Sequence, residues 1–246
     1  MSALQSARDR LIFALDVGTR DEGLRIADSL AGELRWIKVA TTLFTSAGAP
    51  FLEELKDRGF DIFLDLKFHD IPAQVEGACR SAAALGVKLM TVHASGGRAM
   101  LEAAARGAAA GSSGTEDDQR PRVLAVTVLT SLDLSDLGDL GVTRSLEDQV
   151  LGLAKLTQSA GCHGIVASPK ELPFLRPALA RPFGILTPGI RPAGAALGDQ
   201  KRVTTPADAI HGGSDWLVVG RPIRTADDPV SATRAILDEM AKALDA

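Results

Sequence analysis

Phe60-Asp-Ile-Phe-Leu-Asp-Leu-Lys-Phe-His-Asp-Ile-Pro72 sets Asp65, Lys67 and Asp70 into a largely apolar run. Aromatic and branched apolar residues fill positions 60–67 densely enough to predict a β-strand. Side chains alternate faces along a strand, so Ile62, Leu64 and Leu66 share one face, and Phe63, Asp65 and Lys67 share the other. One face is therefore aliphatic, and the other ends in an acid and a base at the strand's C-terminal end. Asp70 follows just before the turn expected at Ile71-Pro72. Charges are costly to bury unless they pair, so this cluster is either a structural ion pair or a reaction centre.

Working outward, the same rhythm recurs on both sides. Further strands are predicted at Leu11–Asp16, Arg35–Val39, Lys88–Ala94, Arg122–Leu129, Gly164–Ser168, Phe183–Thr187 and Trp216–Gly220. Helical patterns lie between them at about 21–32, 49–58, 72–85, an Ala-rich one opened by Ser95-Gly-Gly and running to about 109, and 145–160, with a short helix starting at Pro169 and a last one at about 228–244. Residues 111–120 are the most loop-like part of the chain. Eight strands alternating with helices predict an α/β fold, a single-domain (β/α)8 TIM barrel over residues 1–246, since eight parallel strands close a barrel. An open doubly wound sheet is the competitor. It would usually carry a Gly-rich turn after the first strand, and Asp16-Val-Gly-Thr-Arg is not one.

Length suits a barrel of this kind. The formal net charge of −4 argues against a nucleic-acid or anionic-membrane surface, so any phosphate site must be local. Cys79 and Cys162 lack metal-ligand spacing and read as free thiols in a reducing compartment. The N-terminus has no apolar signal core, and no apolar run is long enough to span a bilayer. A cytoplasmic protein is expected.

Polar residues gather at strand C-termini: Asp16, Lys38, Asp65, Lys67, His93, Thr130 and Ser168. That end of a (β/α)8 barrel holds the active site. Parity supports the grouping, because Asp16 shares a face with Ala14 and Ile12, and Lys38 lies opposite Ile37 and Val39. A lysine held between carboxylates keeps its proton and can donate it to a developing carbanion while stabilising that charge. Such chemistry requires no metal, and no His and carboxylate cluster of metal-ligand type is evident. Anion recognition is expected at Gly189-Ile-Arg191 and Gly220-Arg221-Pro222, after strands seven and eight, the usual phosphate position in these barrels. The long Gly-rich stretch 188–203 reads as a lid. His69 reads as a supporting or interface residue, and His93 as lining the site or as a core histidine. Ser168 reads as a helix N-cap.

These segments together resemble the orotidine 5′-phosphate decarboxylase family in its bacterial form. The resemblance is carried by Leu15-Asp16, Ile37-Lys38-Val39, the motif from Asp65 to Pro72, Val92-His-Ala-Ser-Gly-Gly97, Leu129-Thr-Ser131, Thr187-Pro-Gly-Ile-Arg-Pro192, Asp199-Gln200 and Val219-Gly-Arg-Pro222. It implies cofactor-free decarboxylation of orotidine monophosphate to uridine monophosphate, with Lys67 protonating C6 of the pyrimidine. It further implies a homodimer in which the neighbouring subunit supplies Asp70 near the departing carboxylate. Asp65 and Lys38 would complete the charge array, with Asp16 and Lys38 touching the ribose hydroxyls. Thr130 and Ser131 would face the pyrimidine edge. Arg191, Gln200, Gly220 and Arg221 would bind the phosphate, with Gln200 on the lid. Two positions depart from the pattern. Ala40 stands where a glycine is common, and Gln74 stands where a small hydroxyl residue usually helps to bind a ribose hydroxyl across the dimer interface.

Two rivals remain at the level of sequence. Metal-dependent sugar-phosphate decarboxylases or aldolases of the same superfamily also use Asp-x-Lys-x-x-Asp, but they need a further acid after the second strand, where Ala40-Thr-Thr-Leu43 offers none. A phosphate-binding barrel without catalysis is disfavoured because the whole charge array is present.

Overall fold

The computed structural model describes residues 2–114, 116, 120–192 and 204–246. Its eight strands are β1 (Leu11–Ala14), β2 (Trp36–Ala40), β3 (Asp61–Phe68), β4 (Leu89–His93), β5 (Arg122–Val126), β6 (Gly164–Val166), β7 (Gly184–Thr187) and β8 (Trp216–Val219). Each pairs in parallel with the next, and β1 pairs with β8, which closes the barrel. The expected (β/α)8 architecture is therefore the observed one. Several strands stop short of their expected ends: β1 ends at Ala14 and β5 at Val126. The residues beyond leave the ladder to form the rim of the barrel.

Two apolar cores follow from strand alternation. Ile12, Ala14, Trp36, Phe63, Leu89, Leu124, Leu186, Trp216 and Val218 point into the barrel. Leu11, Phe13, Ile37, Val39, Ile62, Leu64, Met90 and Val92 point outward, under the helices. The parity expected on the first three strands thus holds, and the residues one step further along the inner face (Asp16, Lys38, Asp65) emerge at the C-terminal end. The opposite end is plugged. Trp36 and Trp216 begin their strands inside the barrel, and the guanidinium groups of Arg35 and Arg122 lie 5.5 and 5.6 Å from the two ring centroids. Gly184 makes room for this plug, since a Cβ there would meet Trp216 Cζ3 at 2.4 Å. With one end filled, a ligand has access to the inner residues from the rim.

The helical layer matches expectation at Pro72–Ala84, Leu146–Ser159 and Pro229–Asp245. One helix differs. It runs from Thr41 to Asp57 rather than from 49, because Gly48 at φ 70° kinks two helical pieces together instead of ending one. Short helices at Ala3–Arg8, Leu134–Asp139, Pro206–His211 and Arg221–Arg224 were not expected. Each spans two turns or fewer, too short to show a periodic apolar face. Ser168 caps the turn at Pro169 as expected, accepting from the Lys170 N–H, while Glu171 accepts from the Ser168 N–H.

Candidate active site

β3 does not run evenly into the site. Leu64 faces Met90 and Phe68 faces Val92, so β3 carries two more residues than β4 over the same interval. This bulge re-aims the strand end. Within it Lys67 adopts φ 51°, the one positive φ at a non-glycine among the described residues. A lysine in the left-handed region is uncommon and costs on the order of 1 kcal/mol, so the surrounding contacts must hold it there. Thr91 supplies them. Its Oγ1 accepts from the Lys67 backbone N–H at 2.9 Å and donates to Asp65 Oδ1 at 2.9 Å. One hydroxyl thereby fixes both the bulge and the carboxylate.

Around Asp65 the charges form a chain. Lys67 Nζ lies 2.9 Å from Asp65 Oδ1 and Lys38 Nζ lies 3.6 Å from Oδ2, while Lys38 also reaches Asp16 Oδ1 at 3.0 Å. Lys38 and Asp65 are buried, whereas Asp16 is more exposed and faces the opening. Burial alone would push the Asp65 carboxyl up, but Lys38, Lys67 and the hydrogen bonds from Lys67 and Thr91 outweigh it and hold Asp65 below the usual carboxylate range. The result is an ionised carboxylate gripping two lysines, one of which, Lys67, keeps a third of its side chain open to the cavity.

That cavity, of about 560 Å³, is the size of a small-molecule site. The charge chain lines it together with Val126, Val128, Leu129 and Thr130 and with Arg191, Gly220 and Arg221. Arg191 follows β7, is nearly buried, and donates to its neighbour's carbonyl, Ile190 O, at 2.9 Å. Burial and the adjacent charge of Arg221 together depress its pKa. Two guanidinium groups lining one cavity suit an anion there. No three His, Cys, Asp or Glu among the described residues gather as a metal site.

Comparison with known proteins places this arrangement. The model for the orotidine 5′-phosphate decarboxylase / HUMPS family matches residues 9–236, from just before β1 into the last helix. The chain belongs to this family. It is 47% identical over 243 residues to the orotidine 5′-phosphate decarboxylase of Synechococcus sp., covering 98% of this chain and 99% of that one. It is 49% identical over 226 residues to the enzyme of that name from Chromobacterium violaceum, covering 92% and 89%. The crystal structure of orotidine 5′-phosphate decarboxylase from Lactobacillus acidophilus superposes with a TM-score of 0.85 at 37% identity, covering 94% of this chain and 99% of that one.

Against the family reading, the residues singled out in the sequence divide into three groups. Asp16, Lys38, Asp65, Lys67, Thr130, Arg191, Gly220 and Arg221 line one cavity. Asp70, Gln74 and Ser131 are exposed and do not line it within this chain; the Asp70 carboxylate accepts from the Ile71 N–H at 2.6 Å. Gln200, with the rest of 193–203, lies outside the described residues. His93 ends β4 on the inner face and stacks at 5.3 Å on His69, whose loop leads to Asp70.

Thr91 is the residue that sequence reading missed. Its parity with Leu89 and His93 on β4 was the available signal, since all three fall on the inner face. We expect Thr91→Val to keep the fold but remove about 1–2 kcal/mol of stability, because the Asp65 oxygen and Lys67 N–H lose a buried partner. Turnover should fall with it, as the bulge that aims Lys67 loosens. Denaturant unfolding and steady-state kinetics on the variant check this; unchanged values in both would show that Thr91 is not what holds Lys67.

Proposed function

We propose that the chain decarboxylates orotidine 5′-phosphate to uridine 5′-phosphate and CO2, a carboxy-lyase step in pyrimidine biosynthesis, with the Asp16, Lys38, Asp65 and Lys67 chain as its reactive centre. The observation that carries this is the pairing of Lys67 with the buried Asp65 in a cavity that Arg191 and Arg221 also line. The phosphate would lie at the two guanidinium groups and Gly220, and the pyrimidine against Thr130, with its C6 over Lys67. The bond from C6 to the carboxylate carbon breaks, CO2 departs, and the electron pair stays on C6. The Lys67 ammonium stabilises that charge and then transfers its proton to C6, leaving a neutral amine that regains a proton from water. Asp65 holds Lys67 in place and Lys38 anchors the other Asp65 oxygen, and no metal or organic cofactor is assigned a step. The reading is tested by mixing purified protein with orotidine 5′-phosphate and following pyrimidine absorbance. Conversion to uridine 5′-phosphate supports it, and unchanged substrate overturns it.

The working unit in this proposal is a homodimer in which Asp70 of one subunit reaches the cavity of the other and repels the substrate carboxylate. Support comes from the position of Asp70 outside its own cavity and from Ile71 beside it, an apolar residue 63% exposed in the single chain. Gln74, in the first turn of the following helix, would face the same interface and reach a ribose hydroxyl. Lys67→Ala and Asp70→Ala should each be inactive alone. If symmetric dimers exchange freely, re-equilibrating the two variants together should restore about a quarter of wild-type activity, because half of the dimers then hold one intact site. No recovery on mixing would contradict donation across the interface.

The rest of the proposal concerns the chain as a whole. Residues 1–246 act as one catalytic domain, as supported by the closure of β1 on β8 and by the packing of Ala3–Arg8 on Pro229–Asp245. A cytoplasmic location is supported by two buried cysteines that form no disulfide, whose thiols burial pushes up to about 12. Among the described residues no helix is long and apolar enough to cross a membrane.

A further inference from the structure

The cavity holds more positive charge than the residues assigned so far account for. The short helix Arg221–Arg224 follows β8, and its two arginines, three residues apart, fall on one face. Both line the cavity. Arg224 is half-buried, and among the described residues its guanidinium meets no carboxylate and no hydrogen-bond acceptor. Other arginines of the chain find an acid, as Arg234 does with Glu33 and Arg20 with Glu54. Arg224 instead lines the cavity.

Charge balance gives this a purpose. The two lysines of the reactive chain are matched by Asp16 and Asp65, so the net charge of the cavity lining comes from Arg191, Arg221 and Arg224. The whole chain carries a formal charge of −4 and therefore repels anions at long range. Orotidine 5′-phosphate carries about two negative charges on its phosphate near neutral pH and one on its carboxylate. A polyanion approaching a negative protein needs a local positive field at the mouth of the site, and low-dielectric walls focus such a field.

We propose that Arg224 is a third cation of the phosphate end, a specificity-determining residue that captures the phosphorylated substrate. Arg191 is buried and fixed, and Arg221 sits where β8 ends. Arg224 extends the positive field from that pair to the rim and closes on the outer phosphate oxygens. It acts on binding and does not touch the reacting carbon. The inference rests on the phosphate placement above, and the test separates the two.

Arg224→Gln, Arg224→Lys and Arg221→Ala are compared with wild type for turnover of orotidine 5′-phosphate from low to physiological salt. For Arg224→Gln we expect kcat/KM to fall about ten-fold at low salt, carried by KM rather than kcat, with a shallower salt dependence than wild type. Competitive inhibition by uridine 5′-phosphate should weaken by a similar factor, while inhibition by uridine, which lacks the phosphate, should not change. Arg224→Lys should recover most of KM and the salt slope, which a purely structural role for the guanidinium would not give. If Arg221→Ala raises KM while Arg224→Gln keeps the wild-type KM and salt slope, the role of Arg224 is wrong and the phosphate placement stands. If neither variant moves KM, both are wrong.

Discussion

Lys67→Ala should reduce kcat/KM for orotidine 5′-phosphate by a factor of about 1,000 or more while leaving the protein folded. The magnitude combines the loss of a proton donor, typically worth about 100- to 10,000-fold, with the loss of a fixed positive charge beside the forming carbanion. The fold should survive because Lys67 is one-third exposed, and because Asp65 keeps Lys38 and Thr91 as partners when Lys67 is cut back. Alanine also carries roughly the same penalty as lysine at φ 51°, so the bulge gains no new strain. Single-turnover conversion, with thermal unfolding as the control for folding, reads the effect. A variant that still turns over near the wild-type rate would remove Lys67 as the proton donor.

Asp65→Asn should be damaging in a different way, to stability and activity together. The Asp65 carboxylate gives one oxygen to each lysine, and its neutral isostere would leave the buried Lys38 with Asp16 alone and the part-exposed Lys67 with no carboxylate. Removing one member of a buried ionic group costs about 3–5 kcal/mol when the remaining charge has no other partner, and Asp16 beside Lys38 puts the expected loss below that range. Turnover should fall at least about 100-fold, since Lys67 loses the partner that aims it. The pH dependence has a definite sign. Asp65 is held below its ordinary range in the folded protein, so its contribution is present above the unfolded-state value and is lost as pH falls through the folded-state value. The stability gap between wild type and Asp65→Asn should therefore be constant from neutral pH to about pH 5 and close at lower pH. Denaturant unfolding across that range measures it. Equal stability at pH 7, or a gap that does not change with pH, would show that Asp65 is not the hub of the charge chain.

How far this site was legible in the sequence varies with the cause of each feature. The inner-face positions of Asp16, Lys38 and Asp65 follow from alternation on short, regular strands, and the structure keeps that alternation. Lys67 also reaches Asp65, but by another route. Alternation places it on the right face, whereas the structure delivers it through a two-residue bulge in which it takes a left-handed backbone. No glycine or proline marks that bulge, and it is set by the register against β4 and the Thr91 hydroxyl, which are contacts between strands. The helix starting at Thr41 was hidden for a local reason, since Gly48 and Pro50 read as breakers although here they only kink it. The plug of Trp216 beside Gly184 pairs residues more than thirty positions apart, and Arg224 gains meaning only once its helix is seen to open on the cavity. Asp70 and Gln74 do not line the cavity of their own chain, so the role proposed for them needs a second subunit.

The central claim is that charged side chains alone carry the decarboxylation. Its most direct test is the rate of conversion of orotidine 5′-phosphate to uridine 5′-phosphate before and after exhaustive treatment of the protein with a metal chelator. The expected result is the same rate in both, unaltered by added divalent cations. Turnover that disappears with chelator and returns with a divalent cation would contradict the account and assign the chemistry to a metal.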